Sequence, residues 1–83
     1  MNAIKVGKNF IISNGCVLGA KDSVENRPIV GDNVECCIGA KVIGKIHIGN
    51  NAIIAPNSVV IKDVPENAIV SGVPALVIKI KQQ

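Results

Sequence analysis

A period of six residues constrains this chain more than any other feature. Stepping by six from Val6 meets Val6, Ile12, Leu18, Val24, Val30, Cys36, Val42, Ile48, Ile54 and Val60, every one aliphatic or cysteine. A second column in the same register, three residues further on, reads Asn9, Gly15, Lys21, Arg27, Asn33, Gly39, Lys45, Asn51, Asn57 and Asp63. Most of these are Asn, Gly or Asp, the residues that most readily take positive φ at a corner. Glycine follows the apolar residue directly at Gly7, Gly19, Gly31 and Gly49. A short strand, a sharp bend and another strand make one side of a prism, and three sides close a triangular coil of about eighteen residues, an internal repeat that must stack to bury itself. An uninterrupted coil of that length predicts inward stacks of Val6/Val24/Val42/Val60, Ile12/Val30/Ile48 and Leu18/Cys36/Ile54. A period of six drifts around a helix surface, which excludes an amphipathic helix. Period-two patterning and hairpin turn signals are missing, which excludes a sandwich.

Composition agrees with a narrow interior. The chain has 83 residues and is 48% hydrophobic, yet it holds one Phe and no Trp or Tyr. Its 28 Val, Ile and Leu residues are all β-branched except Leu18 and Leu76, which favours strand. Nine basic against six acidic residues give a scattered formal charge of +3, with no basic stripe and no aromatic platform for nucleic acid. No apolar run reaches the length of a membrane span and no signal-peptide core opens the chain, so a cytoplasmic protein is expected. Cys16, Cys36 and Cys37 read as reduced, packed thiols, since two are adjacent and the number is odd. One His excludes a metal site built on several imidazoles, and no metal ligand is assigned.

The pattern loosens twice. Gly19 to Pro28 is polar and charged, with Asp22 and Pro28 standing where neighbouring hexads carry small or apolar residues, and residues 19–29 read as a loop leaving the coil. After Val60 the columns fail, because Glu66 and Gly72 replace apolar residues. The expected organisation is coils over residues 1–64 and a capping tail over 65–83, with Leu76–Ile80 a closing strand or helix.

The hexads, the stretches Arg27-Pro28-Ile29-Val30-Gly31-Asp32-Asn33-Val34 and Gly39-Ala40-Lys41-Val42-Ile43-Gly44-Lys45-Ile46-His47-Ile48-Gly49, and the ending Gly72-Val73-Pro74-Ala75 resemble the hexapeptide-repeat acyltransferases, most closely the C-terminal part of serine acetyltransferases. The resemblance implies an all-β fold, the left-handed parallel β-helix with a short C-terminal cap. It implies an acetyl-CoA-dependent O-acetyltransferase, serine O-acetyltransferase-like and linked to cysteine biosynthesis. It also implies a homotrimer in which coenzyme A lies in a groove between protomers. On the motifs of this chain, Gly19, Ala20, Ile38, Gly39, Ala55 and Pro56 would touch the pantetheine arm, and Arg27 matches a loop arginine that holds cofactor or acceptor. Three positions depart from the family pattern: Cys37 stands for a glycine, Ile38 for a smaller alanine, and Leu76 for a basic residue near the phosphates.

In the family a histidine serves as general base on the acceptor hydroxyl. The motifs place that residue about one coil side ahead of Met1, and the first coil begins as if a chain had been cut. A second family histidine, between the loop arginine and proline, is absent because Pro28 follows Arg27 directly. His47 matches ordinary surface positions, so no catalytic residue is assigned in this chain. On this reading the chain is a cofactor-binding half with weak activity or none, and its acceptor is a hydroxyl-bearing small molecule, L-serine or a sugar. The alternatives are a sugar or capsule O-acetyltransferase of the same superfamily and a catalytically inactive trimeric scaffold. A β-helix hydratase of the γ-carbonic-anhydrase kind needs three His and fails with one. Outward Ile11, Val17, Ile43, Ile53, Val59 and Ile61 need cover, which a threefold trimer with parallel axes supplies.

Overall fold

Residues 3–23 and 25–81 of the computed structural model are described. Eleven strands follow one another: β1 (Lys5–Val6), β2 (Ile11–Ile12), β3 (Val17–Gly19), β4 (Ile29–Val30), β5 (Glu35–Cys36), β6 (Lys41–Ile43), β7 (His47–Ile48), β8 (Ile53–Ile54), β9 (Val59–Val60), β10 (Ala68–Gly72) and β11 (Ala75–Ile80). There is no helix among the described residues. Strands six residues apart never pair. Each turns a corner and pairs a coil later, so three sheets form the faces of a prism, β1-β4-β7, β2-β5-β8-β10-β11 and β3-β6-β9, parallel throughout except for β11 at the end of the second. The parallel bonds run from coil to coil along the prism axis.

The corners are built by the second sequence column. Asn9, Asn33 and Asn51 take φ of 57°, 58° and 64° at the corner between the first two faces, and Gly15, Gly39 and Asn57 take 76°, 74° and 59° at the next. Asparagine tolerates this left-handed conformation better than other residues bearing a Cβ. Its side chain also ties coil to coil: Asn9 Nδ2 donates to Asn33 Oδ1 at 3.0 Å and Asn51 Nδ2 to Asn67 Oδ1 at 3.1 Å. The third corner departs from the column, since Gly44 (φ 104°) rather than Lys45 makes the bend.

The expected stacks need correction at the first coil. Val6 pairs with Val30, Ile12 with Cys36 and Leu18 with Val42, each an offset of 24, whereas Val30 pairs with Ile48, Cys36 with Ile54 and Val42 with Val60, each an offset of 18. The inward columns are therefore Val6/Val30/Ile48, Ile12/Cys36/Ile54 and Leu18/Val42/Val60. The extra six residues lie in the β3–β4 connection, residues 20–28. Val24, expected in an inward stack, lies outside the described residues. The chain re-enters the coil at Pro28, which is buried and accepts the Ile4 N–H at 2.8 Å.

A second shift closes the other end. Val64 pairs with Ile48 and Val70 with Ile54, each an offset of 16, so Val64 and Val70 continue the inward columns where Glu66 and Gly72 would stand at strict spacing. The core is Leu18, Val30, Val34, Cys36, Ala40, Val42, Ile46, Ile48, Ala52, Ile54, Val60, Val64, Ala68 and Val70. Ser58 is the buried polar residue, and its Oγ accepts the Gly72 N–H at 3.3 Å. After a turn at Val73-Pro74 the chain reverses, and β11 pairs antiparallel with β10. No helix of the described residues is long and apolar enough to cross a membrane.

Candidate functional site

The residues singled out in the sequence lie on two edges of the prism. Ile38-Gly39 follows β5 and Ala55-Pro56 follows β8, so the two pairs sit one coil apart at the corner joining the second and third faces. The Asn57 N–H donates to the Ile38 carbonyl at 2.9 Å, and the Cys37 N–H to the Ile54 carbonyl at 3.0 Å, which locks the coils in this register. Ile38 is 55% exposed, Pro56 is exposed, and Gly39 and Ala55 are half-buried. A side chain at Gly39 would run into the Asn57 amide, so the corner keeps a bare backbone there.

Gly19 and Ala20 lie at the opposite edge of the third face, where β3 ends and the 20–28 connection leaves. Gly19 accepts the Gly44 N–H at 3.0 Å, and a Cβ placed on it would meet only Val17 at 3.9 Å. Half-buried Arg27 ends the connection just before Pro28. The connection is held by its own bonds: the Lys21 N–H donates to the Asn26 carbonyl (3.0 Å), the Asn26 N–H to the Ser23 carbonyl (3.0 Å), and Ser23 Oγ to Glu25 Oε2 (2.7 Å). The structure thus brings Ile38, Gly39, Ala55 and Pro56 together on one edge and places Gly19, Ala20 and Arg27 on the other, with β3-β6-β9 between them.

Sequence reasoning missed Lys41. Its Nζ donates to the Gly39 carbonyl at 2.8 Å and the Gly15 carbonyl at 3.2 Å, stitching two coils of the Ile38–Gly39 edge. Burial, then a hydrogen bond with Cys16, pushes the Cys36 thiol up to about 12, and burial and the nearby Glu35 carboxylate raise Cys37. His47 is exposed on β7. The Asp63 carboxylate beneath it accepts the His47 backbone N–H at 2.9 Å. Among the described residues no three His, Cys, Asp or Glu side chains gather as a metal site. The arrangement offers backbone and small side chains to an extended ligand, with a cationic side chain at one end of the connection.

Triangular coils, asparagine and glycine corners and three parallel faces define a hexapeptide-repeat β-helix. Over most of its length this chain is a homologue of the serine acetyltransferases of that superfamily, and its fold is theirs, the left-handed parallel β-helix. It is 41% identical over 76 residues to serine acetyltransferase of Staphylococcus aureus, covering 89% of this chain and 36% of the relative. The serine acetyltransferase of Brucella abortus, solved in complex with coenzyme A, matches at TM-score 0.87 and 39% identity over 93% of this chain and 32% of that one. The Neisseria gonorrhoeae enzyme in complex with serine matches at TM-score 0.85 and 39% identity over 94% and 32%. No protein-family model matches the chain. The chain spans about a third of the length of these relatives.

Proposed function

We propose that this chain is the acetyl-CoA-binding part of a serine O-acetyltransferase-like protein. The observation that carries the reading is the edge where Gly39 and Ala55 follow one another at successive coils beside Ile38 and Pro56, on a fold that matches a coenzyme A complex. Along such an edge the amide-bearing pantetheine arm reaches backbone N–H and C=O groups beside Gly39 and Ala55, with the Ile38 side chain flanking it. Gly19, Ala20 and Arg27 would supply the other wall. Because they lie across the third face from this edge, one groove takes this edge of one copy and the connection of its neighbour. The outward apolar residues Ile11, Val17, Ile43, Ile53, Val59 and Ile61 support a homotrimer with parallel axes.

In the reaction the acceptor hydroxyl attacks the acetyl thioester while a general base takes its proton. The described residues contribute binding and orientation to that step, not the base. L-serine is the acceptor that the serine complex of a relative supports. A protein that uses acetyl-CoA and keeps its cysteines free fits the cytoplasm.

Calorimetric titration with acetyl-CoA and, separately, desulfo-CoA tests the reading. Saturable binding with one site per chain is expected, weakened by Arg27→Ala and by Gly19→Val. No binding at millimolar ligand by a folded trimer would overturn it in favour of an inactive scaffold. Light scattering that gives a monomer near 8.6 kDa would overturn the trimer.

A further inference from the structure

The corner between the second and third faces repeats one turn, at residues 13–16, 37–40 and 55–58. In each the last N–H returns to the first carbonyl: Cys16 to Ser13 at 3.3 Å, Ala40 to Cys37 at 3.2 Å and Ser58 to Ala55 at 3.3 Å. The third residue, Gly15, Gly39 or Asn57, takes positive φ. The carbonyl of the second residue serves the stack by accepting the third residue's N–H a coil later, Asn14 from Gly39 at 3.0 Å and Ile38 from Asn57 at 2.9 Å. The carbonyl of the third residue has no backbone donor among the described residues. For Gly15 and Gly39 the donor is the Lys41 ammonium, at 3.2 and 2.8 Å.

Lys41 stands in an aliphatic row. Its register partners on the third face are Val17 in one coil and Val59 in the other, and its ammonium leaves that row for the corner. Among the described residues it meets carbonyls and no carboxylate. An ammonium carries three donors, so these two bonds leave one unspent. The Ile38 N–H likewise has no acceptor among the described residues. One coil further on the balance reverses. Pro56 has no N–H to give, and the Asn57 carbonyl has no donor, because Val59 stands at the place of Lys41.

We propose that Lys41 sets the polarity of this edge and so positions the ligand arm. The inference rests on the acetyl-CoA reading above and deepens it. By taking the Gly15 and Gly39 carbonyls the ammonium removes two acceptors from the edge. With the Ile38 N–H it then offers donors to a carbonyl oxygen of the pantetheine arm. An amide N–H of the arm finds its acceptor at the Asn57 carbonyl, one coil along. A charged donor makes the stronger hydrogen bond, so the contact at Lys41 dominates the placing of the arm.

Titration calorimetry tests this with acetyl-CoA, S-acetyl-pantetheine and adenosine 3′,5′-bisphosphate on wild type, Lys41→Met and Lys41→Arg. Methionine keeps an apolar stem and loses every donor, whereas arginine keeps charge and donors. Lys41→Met should weaken acetyl-CoA and S-acetyl-pantetheine by about tenfold, the worth of one charge-assisted hydrogen bond, and leave the bisphosphate unchanged. Lys41→Arg should recover most of that loss. Thermal melts identify the folded variants, and Lys41→Gln, which keeps one donor for the corner without the charge, replaces Lys41→Met if the latter unfolds; the same pattern is expected of it. A loss confined to the bisphosphate would make Lys41 a phosphate contact and overturn the proposal. Unchanged affinities with a lowered melting point would make it only a stitch between coils and also overturn it, with the acetyl-CoA reading left standing. A wild-type chain that binds none of the three ligands removes that reading and the proposal together.

Discussion

Asn50 accepts the backbone N–H of Asp32 on its side-chain oxygen at 2.7 Å, reaching across from the next coil. The same device repeats one coil earlier, where Asp32 Oδ1 accepts the Lys8 N–H at 2.8 Å. These side chains occupy the space over Gly7 and Gly31, which is why the residue after the inward valine has no side chain there.

Alanine at Gly31 would place a Cβ 3.0 Å from both the Asn50 nitrogen and the Ile48 carbonyl oxygen, and at Gly49 one 2.5 Å from the Glu66 nitrogen. Each obstacle includes backbone, so the coils must part. Gly49→Ala should cost about 1–3 kcal/mol, as overpacking does. Gly19→Ala meets only the Val17 side chain at an ordinary 3.9 Å and should leave stability unchanged. Urea denaturation midpoints of the two variants check the contrast.

At the asparagine corner, Asn51 stands at φ 64° and donates to Asn67 Oδ1. Asn51→Val should lose roughly 1–2 kcal/mol for the left-handed backbone alone, before the lost hydrogen bond is counted. Asn51→Gly keeps the conformation and should lose less. Thermal melts of the pair separate backbone strain from the side-chain bond.

Ile54 lies in the middle of its stack, between Cys36 and Val70, at 1% exposure. Its interior has no large aromatic to move into a void, so Ile54→Ala should cost about 2–5 kcal/mol. Chemical unfolding monitored by far-ultraviolet circular dichroism measures it, and Ile54→Val should fall well short of that loss.

Burial raises Cys36 from 9.0 to about 12 in the folded chain. The folded protein therefore holds the thiol proton more tightly than the unfolded one. Stability from this group is fully present below 9.0 and falls as pH climbs from there toward 12. Unfolding free energy should decline over this alkaline window, and Cys36→Ala should flatten that decline. A variant with the same alkaline slope as wild type would refute the assignment.

The corners show how far residue spacing reaches. Asn9, Asn33, Asn51 and Asn57 are legible because positive φ selects residue type locally, whatever the neighbours do. Gly44 was harder to place, because the bend moved one residue from Lys45 without disturbing the inward residues. Val64 and Val70 were legible in principle, being six residues apart, but a two-residue shortening put them out of phase with the ten positions before. Lys41 was not legible as a coil-to-coil tie, since its partners Gly15 and Gly39 meet only after the coils stack.

The prism, its three inward columns and most of its corners follow from the six-residue period, because every side of every coil meets the same local demand for one inward aliphatic and one tight bend. Only the folded chain decides which side lies over which. The first offset is 24 and the second 18, and both are multiples of six, so a hexad can leave the coil without changing the phase of any column. That choice places Leu18 on Val42 and Ile12 on Cys36, and it sets Cys16 beside Cys36. It also divides Gly19, Ala20 and Arg27 from Ile38, Gly39, Ala55 and Pro56 across a face. Backbone pairing between coils settles it, through hydrogen bonds made by residues far apart in the chain.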